Sequence, residues 1–157
     1  MLREIASLEW AATEVTYEPW IEEEAPLQLS CMSPEVLAKS SFQVDPGVRF
    51  VCCEHLIEDL WIDRHTEASS CEKPATDSRS WILVRRGVGG EIRFSRMNAG
   101  EKMLWEGLAS QKTLLECCES LADSEEAVAA LAELGRWTQN GLIKKILKDS
   151  LSLNDED

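Results

Sequence analysis

A chain of 157 residues, 44% of them apolar, can form one medium domain or two small ones with a real core, and extensive disorder is excluded. Its 29 acidic and 16 basic residues leave a formal charge of −13, which disfavours a nucleic-acid partner because phosphate binding needs a basic face. No run of about 18 apolar residues offers a membrane span, and the N-terminus carries no cleavage-type signal, so the chain is expected in the cytoplasm. Leu2, Ile5, Leu8, Ala12 and Val15 recur at three- and four-residue steps and predict one helix over 2–17. Pro19 and the run Glu22-Glu23-Glu24 close it in a solvated loop. Ser33 and Pro34 then suit the cap and first position of a short helix. "SFQVDPGVRFV" predicts two extended pieces broken at Asp45-Pro46-Gly47, followed by a helical spacing at Ile57, Leu60, Trp61 and Arg64.

Residues 66–80 are polar and without period, and a domain boundary is expected there. After it, Trp81–Arg86 and Glu91–Met97 are rich in strand formers, and Gly87-Val88-Gly89-Gly90 supplies a hairpin turn. Ile92 and Phe94 share one face and Arg93 and Ser95 the other, the pattern of a half-buried sheet. Asn98 with Glu101, and Thr113 with Glu116, carry capping-box spacing and open two helices. Ser124 opens a third, whose apolar stripe is Val128, Leu131, Leu134 and Trp137, and Asn140-Gly141 ends it. "LIKKIL" predicts a last short strand before an acidic tail at 149–157. The expected class is α+β. A small helical and extended domain, 1–65, packs through the 66–80 linker on a winged-helix-like domain, 81–148, made of a hairpin and three helices.

The six cysteines, Cys31, Cys52, Cys53, Cys71, Cys117 and Cys118, include two adjacent pairs and no C-x-x-C. They are expected to be reduced, small apolar core residues. A metal site from Cys52, Cys53, His55 and His65 or Cys71 is the alternative, although C-C-x-H lacks the spacing that curls around zinc. His55 and His65 are too few for a multinuclear iron site, and the default role of each is structural. No G-x-S-x-G, P-loop or H-E-x-x-H occurs, so no catalytic residue is assigned. Six tryptophans are many for this length; Trp20, in the acidic loop, and Trp61 are candidates for a partner interface.

The strand pair "WILVRR … EIRFSRM", the opening "NAGEKMLWEGL", "TLLECCESL" and "AVAALAELGRWTQNGLI" resemble the PqqD-like domains called RiPP recognition elements. "LEWAATEV" and "PLQLSCMSPEVLAKSSFQVDPGVRFVCCEHLIEDLW" resemble the region preceding that module in partner proteins of multinuclear non-heme iron oxidases. HvfC-like, MbnC-like and TglI-like partners belong there, and the last are the nearer. The resemblance implies a non-catalytic subunit without a cofactor of its own. It would bind the leader of a ribosomally made precursor peptide and form a heterodimer with an oxidase that holds the iron and modifies a peptide cysteine, in thiaglutamate-type or methanobactin-type biosynthesis. Carried onto this chain, it implies a leader groove between strand 91–97 and helix 125–140, lined by Ile92, Arg93, Phe94, Ser95, Arg96, Leu131, Leu134 and Trp137. Arg93 and Arg96 would steer acidic leader residues, or else blunt a strand edge and pair with the chain's own acids. The competing function is a winged-helix DNA-binding regulator, against which the third helix, "SEEAVAALAELGRWTQNG", carries Glu125, Glu126 and Glu133, with Asp123 nearby, and a single arginine, Arg136.

Overall fold

The apolar steps of the first segment form helix α1, Leu2–Tyr17. The structure is a computed structural model and describes residues 2–19, 27, 29–54, 80–87, 89–121 and 124–147. Leu8, Ala11, Ala12 and Val15 of α1 are buried, with Ile5 packed against them. Leu2, expected on the same stripe, is 81% exposed. The stripe outruns the sheet beneath it. From Ile5 to Val15 the helix rises about 15 Å, close to the roughly 17 Å of a five-residue strand.

That sheet is antiparallel, in the order β2-β3-β4, with β2 Arg49–Cys53, β3 Ser80–Arg86 and β4 Ile92–Met97. Val51 pairs with Ile82, and Val84 with Phe94. Residues directly opposite share a face. The face carrying Val51, Cys53, Ile82, Val84, Ile92 and Phe94 is the one that packs on α1. β4 alternates over Ile92, Arg93, Phe94 and Ser95 as its sequence predicts, and breaks the pattern at its end, where Arg96 is exposed and Met97 buried. β3 does not: Leu83 and Arg85 on the opposite face are buried too, so the middle strand is covered on both sides and the half-buried pattern holds only in the outer strands. The glycine turn closes the hairpin through Gly87 N–H to Glu91 O (2.7 Å) and Gly90 N–H to Gly87 O (2.9 Å). Gly90 takes φ +85°, the left-handed geometry that completes such a loop.

A second set of elements begins with a 3₁₀ turn, Leu29–Cys31, and α2, Pro34–Ala38, whose Val36 N–H is capped by Ser33 Oγ. Strand β1, Ser41–Val44, pairs antiparallel with β5, Ile143–Leu147, with an irregularity after Gln43. The two extended pieces on either side of Asp45-Pro46-Gly47 therefore join different sheets. Between the hairpin and β5 run α3, Ala99–Ala109, α4, Leu114–Ser120, and α5, Ser124–Gln139. α5 ends as Asn140-Gly141 predicts: Gly141 has φ +70°, and the N–H groups of Gly141 and Leu142 bond Thr138 O and Trp137 O. The core here includes Phe42, Leu104, Leu108, Ala130, Leu134 and Ile143, and Trp105 and Trp137 meet edge to face at 5.2 Å.

The Thr113 capping box is complete. Glu116 N–H bonds Thr113 Oγ1 (3.3 Å), and Thr113 N–H bonds a Glu116 carboxylate oxygen (2.8 Å). Those bonds to Thr113 hold the Glu116 carboxyl below its ordinary range. A lowered folded-state pKa gives stability that is present above the unfolded value and lost as pH falls through the folded one. Acid unfolding below pH about 4.5 is expected to be shallower in Glu116→Gln, read from urea midpoints across that range. Thr113→Ala should cost about 1 kcal/mol at neutral pH.

By contacts the chain forms two compact units, each from two stretches: residues 1–20 with 47–99, and 21–46 with 100–157. The grouping is interleaved along the sequence, because β2 pairs with the hairpin and β1 with β5. Consecutive domains at 1–65 and 81–148 would keep both early strands together. The linker 66–80, apart from Ser80, and the helical spacing at 57–64 lie outside the described residues, as does the tail 149–157. The class is α+β with two small antiparallel sheets. Among the described residues no helix is long and apolar enough to cross a membrane.

Candidate functional site

β4 is an outer strand: among the described residues its only strand neighbour is β3. It carries Ile92, Arg93, Phe94, Ser95 and Arg96 together. Ile92 and Phe94 point toward α1 and are half-buried, while Arg93 and Ser95 emerge on the opposite face, exposed. Arg96 lies opposite Ile82, on the α1 face, so the two arginines leave opposite sides of the strand. Arg93 Nε bonds Glu91 Oε1 at 2.6 Å, and Arg96 donates to Ser80 Oγ. A backbone N–H at Glu91 and then the Arg93 guanidinium hold the Glu91 carboxyl below its ordinary range.

The helical residues of the expected groove differ in exposure. Leu131 on α5 is 39% exposed, with Val128 also exposed, but Leu134 and Trp137 are buried in their unit's core. β4 belongs to one compact unit and α5, from 124 on, to the other. Trp20 and Trp61 lie outside the described residues.

The remaining hairpin arginines serve the fold. Arg85 is 8% exposed. Arg86 Nη2 donates to the carbonyls of Val15 (2.6 Å), Thr16 and Glu18 (3.0 Å), closing the C-terminal end of α1.

A feature that sequence periodicity did not single out lies at the other outer strand. A groove of ≈ 720 Å³ runs between α1 and β2, its lining including Arg3, Glu4, Ser7, Trp10 and Glu14 of the helix and Arg49, Phe50 and Cys52 of the strand. Trp10 is 67% exposed. The helix runs antiparallel to β2, since Glu4 receives Glu54 N–H at one end (2.7 Å) and Glu14 and Glu18 hold Arg49 at the other (3.3 and 2.7 Å). The available signal was Trp10 falling off the buried stripe of an amphipathic helix, where an aromatic ring has no core to enter.

The cysteines divide. Cys53 and Cys117 are buried, as expected of small apolar residues, whereas Cys31 and Cys52 are exposed and Cys118 is intermediate. Cys52 faces away from α1 because it alternates with Val51 and Cys53 along β2. Among the described residues no three His, Cys, Asp or Glu side chains converge on a metal-sized site; His55, His65 and Cys71 lie outside them. Burial, and secondarily the adjacent Cys118, push the Cys117 thiol up to about 11. The unfolded thiol ionises near the ordinary 9.0, so the native state keeps its proton between 9.0 and about 11 and stability falls as pH rises through that window. Cys117→Ala should flatten this alkaline loss, measured as urea midpoints at increasing pH. Maleimide at neutral pH should mark Cys52 while leaving Cys117 unmodified until the protein unfolds, as read by mass mapping.

No protein-family model matches the chain, and no curated protein matches it in sequence.

Proposed function

We propose that this chain is a non-catalytic cytoplasmic subunit that binds the leader of a ribosomally synthesised precursor peptide. It docks on a multinuclear non-heme iron oxidase that modifies a peptide cysteine, in chemistry of the thiaglutamate or methanobactin type. The observation that carries the reading is the three-stranded sheet with β2 and β4 as outer strands among the described residues. An outer strand accepts an extended guest: its backbone groups supply affinity, and alternate side chains supply specificity. The order hairpin, three helices, strand also accords with the winged-helix-like module that the resemblance implies. Iron belongs to the oxidase in this scheme, and the chain supplies grip and placement, holding the peptide where the partner's metal can reach its cysteine.

The DNA-regulator reading gains nothing from α5. Its single arginine, Arg136, is already paired with Glu133 at 2.7 Å, so the helix offers no uncommitted cation to phosphate.

The test is titration of the purified full chain, alone and with the co-expressed oxidase, with synthetic leaders from neighbouring precursor genes. Saturable heat and co-purification with the oxidase are the expected results. Absence of heat with every leader under both conditions overturns the proposal.

A further inference from the structure

We infer that the guest peptide is received beside β2, in the groove walled by α1, as an extended segment of about five residues. It would bring an acidic side chain to Arg3 and an apolar one to Trp10. This rests on the peptide-binding reading and places the guest at the sheet edge opposite the one that the sequence pattern favours.

The first ground is geometric. Arg3, Ser7, Trp10 and Glu14 are spaced by three and four residues and form one stripe along the helix. The stripe spans about 16 Å, and the five residues of β2 span about 17 Å. A groove with one helical and one strand wall of similar length suits an extended chain.

The second ground is charge. In this groove Glu14 is held by Arg49, Arg49 by Glu14 and Glu18, and Glu4 by the Glu54 N–H. Arg3 has no ion pair among the described residues. On a chain of formal charge −13, a cation left uncommitted at the mouth of a groove selects for an acid on the guest. At β4, by contrast, Arg93 already holds Glu91 and Arg96 already holds Ser80, and the two leave opposite faces, so a single guest side cannot meet both.

The third ground is the anchor. Trp10 presents most of its ring to solvent within the groove, and large exposed aromatics are the side chains most often decisive in binding. Cys52 borders the groove on the outer strand, its side chain on the face turned away from α1, and is a built-in reporter: a guest paired along β2 lies beside its thiol and shields it.

The experiment uses the full chain, with the oxidase where binding requires it, and the synthetic leader that gives heat in the titration above. Trp10→Ser and Arg3→Glu are each expected to weaken that leader by about tenfold or more, and Arg93→Glu by less than about twofold. Both groove residues are exposed, so unchanged thermal unfolding should accompany the loss. Saturating leader should also slow maleimide labelling of Cys52 while leaving that of Cys31 unchanged, as read by mass mapping. If leader binds but Arg93→Glu abolishes binding while Trp10→Ser does not, or if Cys52 is unprotected, the inference is overturned and the peptide-binding reading stands. If no leader binds the wild-type chain in either form, both fall.

Discussion

Arg86→Ala is expected to destabilise the first unit by about 3 kcal/mol, because three carbonyls at the end of α1 lose one cationic donor together. The last four carbonyls of a helix have no partner within it, and α1 has no glycine after Tyr17 to turn the chain and satisfy them. Arg86 takes that role from the adjacent hairpin, with its guanidinium on Val15, Thr16 and Glu18. A charged donor on a carbonyl is worth about 1.5–3 kcal/mol, and three bonds from one group do not add fully. The positive charge also opposes the negative end of the helix dipole, a further favourable effect. Arg49 is the instructive comparison. It too holds α1, through Glu14 and Glu18, but as a partly exposed ion pair that water still screens, so Arg49→Ala should cost only about 1 kcal/mol. Urea denaturation would show a lowered midpoint with unchanged slope for Arg86→Ala, and hydrogen exchange should quicken in the last turn of α1 first. Equal losses for the two arginines would contradict this division of labour.

Arg86 also shows where sequence periodicity stops being informative. Four arginines on one hairpin of an acidic chain suggest a surface to be touched, yet Arg85 is buried and Arg86 caps a helix distant in sequence. What a long cation reaches depends on which element the sheet sets beside it, and spacing does not encode that. Local signals fared better. The Ser33 cap, the Thr113–Glu116 box, the Gly141 terminator and the glycine hairpin turn all form, since each is decided within about six residues by backbone preference. Pairing across the chain was not legible. "SFQV" and "RFVCC" are equally good strands on either side of a tight turn, and nothing in their composition tells that one pairs with β5 and the other with β3. The site followed the same rule. The alternation that places Arg93 and Ser95 on the exposed face was legible, whereas the groove at Trp10 depends on α1 lying along β2, a contact between residues some 40 positions apart.

Gly107→Ala is expected to destabilise the second unit by about 1–2 kcal/mol, although alanine is the better helix former. A Cβ built on Gly107 in α3 meets Cys117 Sγ of α4 at 2.5 Å and its Cβ at 3.5 Å. Gly107 is thus the point at which α3 admits the Cys117 side chain. Because the thiol is itself buried, it has little room to swing aside. Overpacking of this kind costs about 1–3 kcal/mol, and the propensity gained on leaving glycine returns at most about 1 kcal/mol, so the clash prevails. Removal of the sulfur reverses the balance. In a Cys117→Ala background the 3.5 Å Cβ contact and a 3.9 Å contact with Lys112 Cδ remain, both ordinary van der Waals separations, and Gly107→Ala should be neutral or stabilising by up to about 1 kcal/mol. The double-mutant cycle should therefore show coupling of about 2 kcal/mol between the two positions. A coupling near zero would mean that the space beside Gly107 is not what selects glycine there. It would also separate the burial of the Cys117 thiol, which raises its pKa, from the helix crossing that Gly107 permits.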